Sequence, residues 1–373
     1  MKGALDMQVL DFMNENKDWR DILSNAPYNI IIKEDGDYVL LKYNQLGSDF
    51  TNPIVRECRG SIFRHDGEKW ICVSRAFDKF GNYGESYVPE IDWASAKVME
   101  KVDGSLMKLW YDKDEWHLST IGTIDAFKAP LNGFDITFGD YFKKCLNCTW
   151  EEFIETLSED CCYMFEMVGP MNRVVISYEK EKLYALGMRN MRTFEEKEYS
   201  GPLDEWCNIY LPKRFALSTL EDTLKAAVAM SKDEEGFVVC DEHFNRVKIK
   251  SPEYLMAARL ANNGVITRKR MLEMVLEEKV DDFLAYCPQY SELYKEVLKD
   301  FEQLHKEIHK ELFSVASLMN FVSKKDFAFF VKNKKYKDFL FKKYNNNELT
   351  ISDYLKSQSI SMLLRMMEDL HDY

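Results

Sequence analysis

The strongest constraint on this chain is a change in the spacing of its apolar residues at Pro252. Before that point, short β-branched and aromatic runs alternate with polar turns, the period of half-buried strands. After it, apolar residues recur every three or four positions through Tyr254–Ala261, Arg270–Leu284, Tyr290–Phe321 and Ser352–His371, which is the helical period. A chain of 373 residues also exceeds what one hydrophobic core usually supports. The expectation is an α+β protein, with an antiparallel-sheet domain over 1–252 and an all-α domain over 253–373.

Within the first part, Leu5, Val9, Phe12, Met13 and Trp19 predict an amphipathic helix across residues 5–23. Asn29–Ile32 and Tyr38–Tyr43, separated by Glu34-Asp35-Gly36-Asp37, read as a hairpin, and Leu106–Tyr111 with Trp116–Thr120 read as a second. Residues 134–158 switch to helical spacing, and Thr149 to Glu152 has the pattern of a capping box. The strand Tyr163–Val168 places one acid, Glu166, on the face opposite Phe165 and Met167, where it needs a partner to offset burial. In Arg246–Lys250, alternation puts Lys248 and Lys250 together on one face, which makes sense if an anion sits between them.

Nine cysteines in apolar contexts read as reduced core residues, and with no signal-like or membrane-spanning apolar run a cytoplasmic location is expected. Cys145 and Cys148 have zinc-like spacing with Cys161 and Cys162 close behind, but adjacent cysteines rarely serve one tetrahedral site. The net charge of −13 lies wholly in residues 1–252, since residues 253–373 balance 19 basic against 19 acidic side chains. A polyanion would therefore be held by local basic clusters. One such cluster is Lys324–Lys343, where eight lysines face two aspartates among Phe327, Phe329, Phe330, Tyr336, Phe339 and Phe341. It reads either as a helix pair with aromatics inward and lysines solvated, or as a phosphate-binding footprint for RNA.

The stretch that carries chemistry is Lys101-Val102-Asp103-Gly104-Ser105. A lysine ahead of Asp-Gly suits a nucleophilic amine at a nucleotide pocket, because Gly104 lets the backbone approach phosphate closely. Such an amine must lose its proton, which calls for further cations converging on it. Taken alone, Asp-Gly-Ser is also ordinary turn chemistry. Arg59 beside Gly60, and Lys79 ahead of Gly81, suit phosphate or ribose contact and equally suit plain surface cations.

In order, Lys101–Ser105, Phe165-Glu166, Glu235-Gly236-Phe237 and Lys248-Ile249-Lys250 resemble the motifs of covalent nucleotidyltransferases, the ATP-dependent ligases and mRNA capping enzymes. The closer resemblance is to the T-even bacteriophage RNA ligase 1 family. It runs through Glu57-Cys58-Arg59-Gly60, Ser74-Arg75 with Lys79-Phe80 and Asn82, Lys101–Leu106, Phe165-Glu166 with Pro170 and Asn172-Arg173-Val174, and Lys248–Ser251. The helical part shows no motif that aligns.

The resemblance implies an adenylation domain over 1–252 and an RNA- or tRNA-binding helical domain over 253–373. It implies ATP-dependent joining of an RNA 5′-phosphate to a 3′-hydroxyl through lysyl-AMP and RNA-adenylate, with Mg2+ or Mn2+, by a monomer that repairs tRNA broken in its anticodon loop. Lys101 would be the nucleophile, and Lys248 and Lys250 would hold the transferring phosphate and help to keep Lys101 neutral. Glu235 would bind the metal, and Glu166 the ribose or metal-bound waters. Arg59 and Lys79 would hold nucleotide phosphates, Gly104 would belong to the nucleotide pocket, and Glu100 would accept the adenine amino group. One departure stands out, because the family carries a lysine before the glycine of the strand after the nucleophile, where this chain has Ile121-Gly122. DNA ligation and guanylyl transfer are rival activities, but those families usually append an OB-fold, which would read as strands after residue 252. A silent RNA- or nucleotide-binding protein would have no need of Lys101 in its Val-Asp-Gly turn.

Overall fold

The structure, a computed structural model, describes residues 7–45, 47–131, 134–203, 206–231, 233–252, 254, 266–276, 280, 284, 290–319, 323–347 and 349–370. The chain divides into two compact units, Met1–Ala261 and Asn262–Tyr373. The architecture is α+β: described strands belong to the first unit, and the described elements of the second are helices.

Three sheets, antiparallel but for one short parallel pair, build the first unit. In the first, β1 (Ile30–Asp35), β2 (Tyr38–Tyr43), β3 (Arg59–His65) and β4 (Trp70–Ser74) lie in chain order, covered by α1 (Gln8–Glu15), α2 (Trp19–Ser24) and α3 (Pro53–Glu57). The helix expected across residues 5–23 is thus two helices. Asn16 takes an extended conformation, and both its N–H and its side-chain amide donate to the Phe12 carbonyl, so the side chain competes with the next helical turn and ends α1.

The second and third sheets carry most of the site, and β3 of the first sheet adds Arg59. In the second sheet β6 (Ser105–Asp112) lies between β7 (Glu115–Thr120) and β8 (Cys161–Val168), followed by β9 (Lys182–Asn190) and β10 (Glu196–Lys197), while β11 (Ile209–Tyr210) pairs parallel to β9. The β6–β7 hairpin turns on Lys113 and Asp114, both with positive φ, the two-residue turn that matches strand twist. One face of this sheet buries Met107, Phe165 and Met167 against α4 (Phe138–Cys145) and α5 (Trp150–Ile154), and α5 opens on the Thr149–Glu152 capping box. Cys145 and Cys161 join that core while Cys162 packs on the opposite face, and among the described residues no His, Cys, Asp or Glu group is arranged to hold a metal by itself.

The third sheet has the order β12 (Arg214–Phe215), β5 (Lys97–Glu100), β13 (Gly236–Cys240), β14 (Arg246–Lys250). Val98, Phe237, Val239, Val247 and Ile249 turn one face onto α6 (Leu220–Ala229), so period-two alternation directs Met99, Lys248 and Lys250 to the other.

The second unit comprises α7 (Arg268–Leu276), α8 (Ser291–Met319), α9 (Lys324–Val331), α10 (Lys337–Asn345), α11 (Ile351–Lys356) and α12 (Ile360–Glu368) around Leu304, Ile308, Phe327, Phe339 and Leu355. The helix expected over Tyr254–Ala261 lies outside the described residues beyond Tyr254. The aromatics of Lys324–Lys343 divide: Phe327, Tyr336 and Phe339 face inward, whereas Phe329 and Phe330 are 65% and 50% exposed. No described helix is long and apolar enough to cross a membrane.

Candidate active site

The site forms where β5 ends beside the start of β13. Glu100 pairs in register with Phe237, and the next N–H, that of Lys101, donates to the Gly236 carbonyl at 2.8 Å. This delivers Lys101 to Glu235, the residue before β13. The Lys101 amine lies 2.8 Å from Glu235 Oε1, and the Lys250 amine reaches the same oxygen at 2.9 Å. Both Glu235 and Lys250 are almost fully buried, whereas the Lys101 side chain keeps 15% exposure. Glu235 Oε2 is buried with no hydrogen-bond partner among the described residues. Burial makes this second oxygen a strong acceptor beside the two ammonium groups.

Lys248 stands two residues before Lys250 on the same face of β14, its ammonium 5.1 Å from the centre of the Phe80 ring. The segment 81–83 runs alongside, since the Lys248 N–H donates to the Gly81 carbonyl and the Tyr83 N–H to the Lys248 carbonyl, each at 2.9 Å. The Arg59 guanidinium lies 5.6 Å from that same Phe80 ring, and its Nη1 is buried with no hydrogen-bond partner among the described residues.

From the second sheet, Glu166 faces away from the core that takes Phe165 and Met167, as alternation requires. Burial pushes its carboxyl up to about 7; Lys101 opposes that shift, Glu235 adds to it, Arg59 opposes it and Asp103 adds to it. Glu166, Lys101, Glu235 and Arg59 therefore share one electrostatic environment. Two expected residues have other neighbours: the Lys79 amine donates to Gln45 Oε1 at 3.2 Å between the Tyr43 and Phe50 rings, and the Glu100 carboxylate accepts from the Lys213 N–H at 3.4 Å.

Gly104 has a packing reason as well. A Cβ there would stand 2.4 Å from the Met167 carbonyl oxygen and 2.9 Å from Val168, so only glycine lets the Lys101 loop press against β8.

Asp103 is the residue that sequence reasoning missed. Its Oδ2 accepts from the N–H groups of Val175 and Ile176 at 2.8 and 2.7 Å, and its Oδ1 accepts from the Tyr254 hydroxyl at 3.1 Å. Ser105 donates to Asn172 Oδ1 at 2.9 Å, and buried Asn172 donates to the Met167 carbonyl at 2.6 Å. Burial, with Glu235 next, pushes the Asp103 carboxyl up, against its two backbone hydrogen bonds and Lys101. Asp-Gly-Ser is therefore an anchored loop rather than a free surface turn. A carboxylate inside an apolar-flanked motif was the available signal, because buried acids need donors.

A donor set of two carboxylates, one with an open buried oxygen, fits a hard divalent cation that takes its remaining ligands from water and phosphate.

The RNA ligase family profile matches residues 57–254, the span that contains all of these groups. The RNA ligase of Rhodothermus phage RM378 is 31% identical over 319 residues, covering 68% of this chain and 71% of that protein. A putative bifunctional polynucleotide kinase/RNA ligase of Autographa californica nuclear polyhedrosis virus is 31% identical over 276 residues, 69% of this chain and 38% of the viral protein, so this chain spans well under half of that relative. Among solved structures, an archaeal ATP-dependent RNA ligase aligns with a TM-score of 0.44 and 13% identity over 81% of this chain and 83% of that one. The chain belongs to the RNA ligase family, in the branch typified by RNA ligase 1 of the T-even bacteriophages, and is an RNA ligase.

Proposed function

We propose that this chain is an ATP-dependent ligase that joins an RNA 5′-phosphate to an RNA 3′-hydroxyl through a lysyl-AMP intermediate. The observation that carries the reading is the convergence of the Lys101 and Lys250 amines on one buried oxygen of Glu235. In the first step the Lys101 amine leaves Glu235, sheds its proton and attacks the α-phosphorus of ATP, forming a P–N bond as pyrophosphate departs. In the second, an oxygen of the RNA 5′-phosphate takes the adenylyl group and Lys101 is released. In the third, the RNA 3′-hydroxyl attacks the activated 5′-phosphate, forming the phosphodiester and releasing AMP.

Lys248 and Lys250 stand on one strand face where charge accumulates on transferring oxygens, which is the stabilisation that phosphoryl chemistry needs. Arg59 offers a buried, unsatisfied guanidinium N–H to a phosphate oxygen. Glu235 and Glu166 would hold Mg2+ or Mn2+, which supplies charge neutralisation at the phosphates when bound. Glu100 is assigned to the adenine amino group, Gly104 to the pocket wall, and Lys79 to the phosphates.

The RNA is assigned to tRNA broken in its anticodon loop, the protein to a cytoplasmic monomer, and residues 253–373 to an RNA-binding domain. The lysine excess of Lys324–Lys343 and the outward-facing Phe329 and Phe330 support that last assignment, since unpaired RNA binds by phosphate contact and base stacking.

The test is incubation with α-labelled ATP, and in parallel GTP, followed by a denaturing gel. Label from ATP is expected to stay on the wild-type protein and to fall to background in Lys101→Ala. Label retained by that variant refutes the nucleophile, and label from GTP but not ATP refutes the nucleotide.

A further inference from the structure

We propose that Lys108 is a positioning residue: its amine caps a β-bulge at Gly60 and thereby fixes the aim of Arg59 into the nucleotide cleft. The β2–β3 ladder pairs Leu41 with Ser61 but Lys42 with Arg59, so Gly60 is left over as an extra residue, with φ +72. A glycine with positive φ at the extra position is the bulge that bends a strand and re-aims its neighbour's side chain. That neighbour is Arg59.

Two groups hold the bulge from different sides. A Cβ on Gly60 would stand 2.5 Å from the Ile121 carbonyl oxygen and 2.6 Å from Ile121 Cα, so the backbone after β7 presses directly on it. The Gly60 carbonyl accepts a hydrogen bond from the Lys108 amine. Lys108 lies on β6 opposite Ser119, two residues before Ile121, and its side chain has no solvent exposure. The position before Gly122 that resemblance expected to be a lysine thus contributes main chain here, and an amine arrives from the adjoining strand.

An amine in this place has no packing rationale. It lies near the buried thiols of Cys72 and Cys162 and the Arg59 cation, a setting that a methionine would fill without the cost of desolvating a charge. Burial, opposed by those two thiols, holds the Lys108 amine down at about 8, with Arg59 acting in the same direction. The hydrogen bond to Gly60 is the polar task its position offers.

This inference rests on the reading that Arg59 contacts nucleotide phosphate, and a double-mutant cycle separates the two. Self-adenylation with Mg2+ and ATP is measured for wild type, Lys108→Met, Arg59→Ala and the double variant, with folding checked by circular dichroism. Lys108→Met and Arg59→Ala are each expected to raise KM for ATP about tenfold while kcat stays within about twofold, and the double variant is expected to be no worse than Arg59→Ala. If Arg59→Ala leaves KM unchanged, the reading of Arg59 fails. If Arg59→Ala raises KM but Lys108→Met does not, or if the two effects multiply in the double variant, the positioning role of Lys108 fails. If Lys108→Met does not fold, Lys108→Gln, which keeps an N–H donor, and Gly60→Ala, which attacks the bulge from the Ile121 side, replace it in the same cycle. Gly60→Ala is then expected to match the Arg59→Ala loss and Lys108→Gln to retain near wild-type KM, and the opposite pattern overturns the proposal.

Discussion

Lys101 and Lys250 hold the same oxygen of Glu235, at 2.8 and 2.9 Å, although β13 lies between β5, which Lys101 follows, and β14, which carries Lys250. One carboxylate thereby sets the distance between the candidate nucleophile and a candidate phosphate-binding lysine before any substrate arrives. Removing Lys250 breaks the triad on Glu235 and, under the proposed mechanism, would also take away phosphate stabilisation. Lys250→Met is expected to slow self-adenylation by about a hundredfold or more. Lys248→Met, which leaves that triad in place, is expected to show a similar catalytic loss with a smaller change in melting temperature. Parallel adenylation assays and thermal melts check the pair, and wild-type adenylation in both would remove β14 from the site.

Glu166, if it serves as the proposed anion, is expected to give adenylation a pH dependence. Its carboxyl titrates at about 7 in the fold against an ordinary 4.5, so near pH 6 it is mostly protonated and cannot serve as an anion. Adenylation is expected to rise as pH increases through about 7, and Glu166→Gln is expected to be slower and to lose that inflection. The stability sign is opposite. A carboxyl raised in the fold contributes stability that is present below 4.5 and is lost as pH rises through about 7. Glu57, pushed up to about 7 chiefly by burial, shifts stability in the same direction but is hydrogen-bonded to the N–H groups of Gln8 and Val9, so rate rather than melting isolates Glu166.

Gly104→Ala tests the anchored loop. The added carbon meets a backbone carbonyl of β8 at 2.4 Å and cannot be relieved by a rotamer change, so the loop must lift from the sheet. Adenylation is expected to fall at least tenfold, with a stability loss of about 1–3 kcal/mol by urea titration. A variant with unchanged rate would show that Lys101 reaches its position without this packing.

The helical unit is tested separately. Replacing Lys332, Lys334, Lys335 and Lys337 with glutamine is expected to weaken tRNA binding and flatten its salt dependence, by about 0.7 in log–log slope for each phosphate no longer neutralised. Adenylation with ATP alone is expected to survive. Lys334 donates to Ser314 and Lys335 to the Asp369 carbonyl, so Lys332 and Lys337 are expected to carry most of the effect. Unchanged affinity and slope would move RNA binding to the sheet unit.

Sheet and helix segregation was legible from residue spacing because one period of apolar residues marks each kind of element. The approach of Lys101, Glu166, Glu235 and Lys250 was legible only as a set of motifs, since Glu166, Glu235 and Lys250 follow Lys101 by 65, 134 and 149 residues and meet it through sheet order, which no local pattern encodes. Asp103 and Lys108 were hidden for a different reason. Most of their hydrogen-bond partners are main-chain groups, Val175 and Ile176 beside the Tyr254 hydroxyl for one and Gly60 for the other, and a backbone group leaves no side-chain signature. At Asn16 the apolar spacing is misleading, because it runs straight through a residue whose side chain ends the helix.

The grip of Asp103 on residues 175 and 176 also distributes mutational freedom unequally. Every amino acid except proline offers the N–H that this carboxylate uses, so the interaction itself tolerates wide drift at Val175 and Ile176. Asp103 has less latitude, because glutamate is a carbon too long and an apolar side chain would leave both N–H groups without their acceptor. Tolerance to substitution around the Lys101 loop should therefore fall on one side of each hydrogen bond, with neutral variation accumulating in the donor segment more readily than at the acceptor.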